Sequence, residues 1–239
     1  MNFLYVASES FNSRAKVLHD SLVKHHPYSE IVRITPPNTG VIGQYLPNMA
    51  RDRLIETKIM LDDTNEDVCV IGADCELFKS ISLPMSYDLT IVPHVKKPLK
   101  DRNYMRQLYM TGHANADLMI FKNSDQSREI LDWLIDVTED GMKDGAFYEQ
   151  TWLSATPFIF DNVGVIRHPG YNVGYWEANH VKWEYKDGRY LVNNFPVVMM
   201  QYSGYLKGEP ERMSRHSTET CKDPIALQLY KDYDRRITS

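Results

Sequence analysis

Val68-Cys69-Val70-Ile71-Gly72-Ala73-Asp74-Cys75-Glu76-Leu77-Phe78 is the stretch on which the reading of this chain turns. A short, almost wholly apolar run predicts a strand buried on both faces, as in an α/β sheet covered by helices. On an extended chain, residues i and i+2 point the same way. Asp74 and Glu76 are therefore expected to leave the sheet edge on one side, within reach of one divalent cation. Magnesium and manganese take carboxylate and phosphate oxygens, so the pair is a candidate seat for a metal-bound diphosphate. Taken alone, two acids after a strand also read as a solvated turn.

Working outward, Phe3 to Ala7 reads as a first strand, and Ser8 to Asn12 as a polar turn with helix-capping residues. Phe11, Ala15, Leu18 and Leu22 recur at helical spacing, which predicts a helix to about His26, ahead of Pro27. Ile31 to Ile34 is a short strand, Pro36 to Gly40 a loop, and Arg51 to Leu61 a helix. After the acidic strand come a buried strand at Leu89 to Val92, a polar loop, and a strand at Ala116 to Phe121. An amphipathic helix is expected over Ser124 to Thr138, another helix over Phe147 to Leu153, a strand over Val163 to Ile166, and a closing helix over Pro224 to Ile237. Strands alternating with helices predict a Rossmann-like α/β fold, a mainly parallel central sheet flanked by helices, with a smaller mixed C-terminal part. Ligands in such sheets bind outside the carboxyl ends of the strands, where Ser8 and Asp74 fall.

With 239 residues the chain reads as one domain, 1–239, in two halves, 1–122 and 123–239. A net charge of −5 gives no global basic field to draw it to nucleic acid or anionic lipid. No apolar run approaches the ~20 residues of a bilayer span, and the N-terminus reads as a strand instead of a signal peptide. Three cysteines make no disulfide framework, which points to a reducing cytoplasm.

Seven segments, in order, resemble the nucleotide-sugar-dependent glycosyltransferases of GT-A fold. The helix Arg53-Leu54-Ile55-Glu56-Thr57-Lys58 precedes the stretch quoted above, as a Thr/Lys helix precedes a strand ending in Asp-x-Asp in that family. Leu89 to His94 is similar to the strand that follows. Gly112 to Phe121 resembles the family's Gly-x-x-Asn-x-Gly-Phe segment, and Glu149-Gln150-Thr151-Trp152-Leu153 its acid-Gln-x-Trp-Leu motif. Pro169 to Trp176 and Gln201 to Tyr205 look like the closing Pro-Gly-Tyr-Asn and His-Phe-Ser-Gly elements. The match runs over roughly residues 50 to 205, and each motif is weak without the others. There are three departures. The second acid is Glu76, Asp117 stands where the family has glycine, and Gln201 stands in place of a histidine.

The resemblance implies transfer of a sugar from a nucleotide diphosphate sugar (a UDP-sugar) to an acceptor hydroxyl, with retention, assisted by Mn2+ or Mg2+ on Asp74, Glu76 and Gln201. The ion would act as a Lewis acid on the leaving diphosphate. Arg53 and Lys58 are candidate diphosphate contacts, and both also read as surface charges on an amphipathic helix. Ala7 and Ser8 are candidate base and ribose contacts, and Asn115 a contact to sugar hydroxyls. Glu149, Gln150 and Asp117 are the candidates at the reacting sugar. Were transfer to invert, Glu149 would be the general base; it also reads as a first-turn acid favoured by the helix dipole.

Lys96, Lys97, Lys100, Arg102 and Arg106 cluster between His94 and Gly112, with Tyr104 and Tyr109 among them. With Tyr175 and Trp176 they are candidate acceptor contacts. They suggest an anionic acceptor, either a lipopolysaccharide or other glycan or DNA with hydroxymethylated bases; a solvated loop reads as well. Two other functions fit part of the pattern. One is an inactive nucleotide-sugar-binding module, since Glu76 and Gln201 depart from the usual metal set. The other is a nucleotidyltransferase, against which stands the turn Ser8 to Arg14, which has no glycine.

Overall fold

The structure is a computed structural model that describes residues 1–36, 47–83, 86–100, 102–141 and 148–239. It divides into two compact units. The first comprises Met1–Ser10, Ser29–Gly72 and Ser82–Ile166. Its centre is a six-stranded sheet built from β1 (Asn2–Val6), β2 (Ile31–Ile34), β3 (Val68–Ile71), β5 (Leu89–Pro93), β6 (Ala114–Phe121) and β7 (Val163–Val165). The strand order is β2-β1-β3-β6-β5-β7. Pairs β1–β2, β1–β3 and β5–β7 are parallel, while β6 runs antiparallel to both of its neighbours. Every residue of β3 is buried, as its unbroken apolar run requires in a sheet covered on both faces.

The same unit holds α2 (Pro47–Thr64), α3 (Arg102–Thr111), α4 (Asp125–Gly141), α5 (Tyr148–Leu153) and α6 (Thr156–Ile159). Helix α4 starts where the sequence predicts. The Ser124 hydroxyl accepts the Ser127 N–H at 3.2 Å and donates to Asp88 at 2.6 Å, so a capping serine is itself fastened to the sheet. Ile130, Leu131 and Leu134 then pack with Leu54 and Leu61 of α2 and with Val68, Val70, Met119 and Phe121 of the sheet. Each such aliphatic side chain taken from water is worth about 1.5–3 kcal/mol. The segment expected to be a polar loop after β5 contains α3. Its composition misleads because Leu108 is its buried residue and Tyr109 and Met110 face solvent.

The second unit comprises Phe11–Tyr28, Ala73–Ile81 and Arg167–Ser239. It contains α1 (Asn12–His25), β4 (Cys75–Leu77), α7 (Tyr175–Ala178), β8 (Trp183–Lys186), β9 (Arg189–Val192), β10 (Phe195–Pro196), β11 (Met199–Gln201) and α8 (Pro224–Thr238). Strands β8, β9 and β10 form an antiparallel sheet, and β4 pairs antiparallel with β11. Helix α8 begins at Pro224, with Asp223 accepting the N–H groups of Ile225 at 2.8 Å and Ala226 at 3.2 Å. Its Tyr230 and Tyr233 pack against Tyr202 and Tyr205; the Tyr202 and Tyr233 rings stack at 3.6 Å. Helix α1 starts without a side-chain cap: Phe11 holds the N-cap position, and Ser8 bonds to Ser10 instead.

The deciding stretch is not one strand. Strand β3 ends at Ile71, Ala73 and Asp74 form a turn, and β4 starts at Cys75 in a different sheet. The expected alternation of Asp74 and Glu76 along a single extended chain therefore does not hold. Of the other expected segments, Pro37 to Gly40 and Phe147 lie outside the described residues. No described helix is long and apolar enough to cross a membrane.

Candidate active site

In the first unit three predicted residues from distant parts of the chain meet. Arg53 lies on the buried side of α2, next to Leu54 and 4% exposed. Its guanidinium bonds to Glu149 in the first turn of α5, which is 2% exposed. The other arm of Arg53 lies 3.5 Å from the Asp117 carboxylate on β6. Arg53 and Glu149 are a buried ion pair, which is costly unless its charges compensate each other, and the same guanidinium also reaches Asp117, whose side chain is 30% exposed. Burial pushes the Asp117 carboxyl above its ordinary 3.8, against the pull of Arg53. The arrangement fixes the donors of Arg53 and the acceptors of both carboxylates in place, as a polar binding site requires.

Asp117 owes its direction to an irregularity in β6. Ile91 of β5 faces Met119, but the next residue, Val92, faces Asn115, so residues 116–118 stand opposite no partner on β5. Such bulges re-aim side chains and are common beside active sites. Asn115, 1% exposed, braces the bulge: its amide oxygen accepts the Asp117 N–H at 2.8 Å. Gln150 follows Glu149, and its amide donates to the Thr111 carbonyl at 2.8 Å.

The other donor-side candidates lie elsewhere in this unit. Lys58, on the same helix as Arg53, pairs with Asp132 of α4 and so does not join the cluster. Ala7, just past β1, is buried, and its carbonyl accepts from Arg33 at 3.1 Å, a residue the sequence reading passed over. Ser8 is half-buried beside it. On the acceptor side, Lys97, Lys100, Arg102 and Arg106 are exposed, Lys96 is half-buried, and Tyr109 is 78% exposed.

In the second unit, Asp74 sits in the turn before β4, where its carbonyl accepts the Tyr202 N–H at 2.9 Å. Burial, and then the Asp74 charge, hold the Tyr233 phenol well above its ordinary range. Gln201 is buried on β11, opposite Cys75. Glu76, on β4, is 5% exposed, and both of its oxygens bond to Arg236 of α8, the second at 2.7 Å; Tyr202 donates to it at 3.1 Å. Burial works against the Arg236 charge, but the Glu76 carboxylate outweighs it and raises the guanidinium further. Arg236, like Arg33, was passed over in the sequence; its faint signal is the basic last turn of α8. Trp176 is 4% exposed, and a Cβ on Gly174 would meet its ring at 2.5 Å, so it is a core side chain. The Tyr175 ring packs against it at 5.0 Å, and burial pushes its phenol up to about 12.

Glu76 does not fit a divalent cation, because a guanidinium already occupies its oxygens and would repel the ion. Among the described residues, no group of three or more His, Cys, Asp or Glu side chains is gathered to hold one.

No protein-family profile matches the chain. Over 129 residues it is 26% identical to the uncharacterized protein YfnF of Bacillus subtilis (strain 168); this is 52% of the chain, and it spans less than half, 43%, of that relative. Among solved structures, the galactosyltransferase LgtC in complex with donor and acceptor sugar analogs superposes with a TM-score of 0.55 at 14% identity, over 100% of this chain and 97% of that one. The glycosyltransferase GlyE of Streptococcus pneumoniae TIGR4 gives 0.54 at 12% identity, over 99% of this chain and 62% of that one. A glycosyltransferase involved in glycosylation of the major capsid of PBCV-1 gives 0.54 at 8% identity, with both chains covered fully. The fold is that of GT-A-like glycosyltransferases.

Proposed function

We propose that this chain is a glycosyltransferase that moves a sugar from a nucleotide diphosphate sugar, a UDP-sugar, to an acceptor hydroxyl with retention of configuration. The observation that carries the reading is the buried Arg53–Glu149 pair joined by the half-exposed Asp117, on a fold shared with LgtC and GlyE. In it, the carboxylates accept from the hydroxyls of the donor sugar while Arg53 donates to them, which fixes the anomeric carbon relative to the acceptor. Glu149 lies on the sugar and stabilises positive charge that develops on the ring as the bond to phosphate breaks. The acceptor oxygen bonds to the anomeric carbon on the face the phosphate leaves, which keeps the configuration, and that phosphate takes the acceptor's proton, so no separate base is needed. Ala7 and Ser8 receive the base and ribose. Glu76 gives no ligand to a metal in this reading, because Arg236 holds both of its oxygens.

The acceptor in this reading is anionic, and the exposed Lys97, Lys100, Arg102 and Arg106 meet it, with Tyr109 available to stack on a ring. A lipopolysaccharide glycan and DNA with hydroxymethylated bases share that chemistry. The test is release of UDP from UDP-glucose and UDP-galactose, with each acceptor, in MnCl2 and in EDTA. Acceptor-stimulated release that Glu149→Gln abolishes is expected. Wild-type protein that binds these donors without turning them over would instead favour a nucleotide-sugar-binding module.

A further inference from the structure

Gly72 ends the run of β3 and has no conformational reason to be glycine, since its φ lies outside the left-handed region where Gly112, Gly188, Gly204 and Gly208 fall. Its reason lies across the sheet. Ile71 is paired with Leu118, and one step further the Gly72 N–H donates to the Asp117 carbonyl at 3.1 Å. A Cβ on Gly72 would come within 2.5 Å of Asp117 Cγ and 2.7 Å of its Cβ and Oδ1, closer than packed atoms come. The room that a side chain at position 72 would fill therefore holds the Asp117 carboxymethyl group. The bulge at residues 116–118 aims that group there, and Arg53 receives it. Meanwhile Glu76, the second acid of the quoted stretch, is taken by Arg236.

We propose that Gly72 and Asp117 are an exchanged pair, in which β6 delivers through Asp117 the carboxylate that an Asp-x-Asp stretch would carry at position 72. The first position of the Asp-x-Asp stretch is then residue 72 instead of Asp74, and its carboxylate comes from Asp117 of the neighbouring strand. Within the function proposed above, on which this rests, Asp117 binds hydroxyls of the donor sugar. Because the two side chains compete for one volume, either position can carry the acid but not both.

The experiment compares Gly72→Asp, Asp117→Gly, the double variant Gly72→Asp/Asp117→Gly and the isosteric Asp117→Asn. Melting temperature and calorimetric binding of UDP-glucose and UDP-galactose are measured, each in MnCl2 and in EDTA. Gly72→Asp alone is expected to lower Tm by about 5 °C or more, from overpacking beside a second carboxylate. The double variant should recover most of that loss. Asp117→Gly and Asp117→Asn should weaken donor binding by about tenfold or more, the effect of a lost hydrogen bond to a charged group, and the double variant should restore it. Two results overturn the proposal: Tm losses that add in the double variant, or a folded double variant that binds no better than Asp117→Gly. If wild-type protein binds neither donor in either buffer, the functional reading fails, and the thermal comparison still decides the exchange, with recovery supporting it and additivity sinking it.

Discussion

At the scale of single residues, Arg53 carries the most consequence. It is 4% exposed and holds two carboxylates, so removing its charge leaves the buried Glu149 uncompensated and the half-buried Asp117 without its cation. Arg53→Met is expected to cost about 3–5 kcal/mol in urea unfolding, whereas an exposed arginine changes stability by less than about 1 kcal/mol. A variant that unfolds with the wild-type midpoint would remove Arg53 from the buried cluster. Its partnership with Glu149 joins positions 96 apart in the chain. Both residues were legible as candidates, but their contact was not, since no local periodicity encodes a long-range pair. His94 offers a pH test. Burial lowers its pKa from 6.5 to about 4, and the neighbouring Lys96 and His113 push the same way against a bond to the His113 carbonyl. The unfolded chain thus takes up this proton before the folded one does. His94's contribution is full above pH ~6.5 and is lost as pH falls towards ~4, a decline of about 3 kcal/mol at ~1.4 kcal/mol per pH unit. His94→Gln should flatten that part of the stability curve in urea titrations between these limits. An unchanged slope would show that other groups set it.

At the scale of elements, the sequence reading succeeded where apolar residues form an unbroken run or a capped helical stripe, and failed where charged residues or turns interrupt them. Strands β1, β2, β3 and β5 showed as apolar runs, and α4 as a stripe with a capping serine, because a buried face leaves a periodic mark. Helix α3 carries such a stripe in Tyr104, Met105 and Leu108, but the basic residues around it drew the reading of a polar loop, and the half-exposed β8 to β10 fall in a stretch that reads as mixed turns and short strands. The costliest error was to carry a period of two through Ala73 and Asp74, where the chain turns. That error put Glu76 beside Asp74 as a metal ligand, although β4 turns it towards Arg236 of α8. A pair of variants tests the structural role of Glu76. Arg236→Met should cost about 2 kcal/mol, below the full price of a broken buried pair because Arg236 is itself 42% exposed. Glu76→Leu/Arg236→Met should recover most of it, as apolar replacements of both partners commonly do. If each change costs independently of the other, the two side chains are not coupled.

For the whole molecule, charge is distributed against its average. The chain carries −5, yet exposed Lys97, Lys100, Arg102 and Arg106 form a basic run on and before α3. A net negative protein repels polyanions at long range, so contact with an anionic acceptor has to come from a local patch, and salt should dissect it. If the acceptor is DNA with hydroxymethylated bases, log affinity should fall linearly with log salt, and each lost phosphate contact should reduce the slope by about 0.9 for a duplex. Arg102→Gln/Arg106→Gln should therefore flatten the slope by up to about 2 and raise the acceptor KM. Hydrolysis of the donor by water should be unaffected, since neither residue belongs to the Arg53 cluster. A lipopolysaccharide acceptor, with fewer and more scattered phosphates, should show a shallower slope and a smaller response to the same substitutions. Acceptor turnover equal in wild type and variant at every salt concentration would leave the basic run as solvated surface, and would move the search for the acceptor site to other surfaces of the chain.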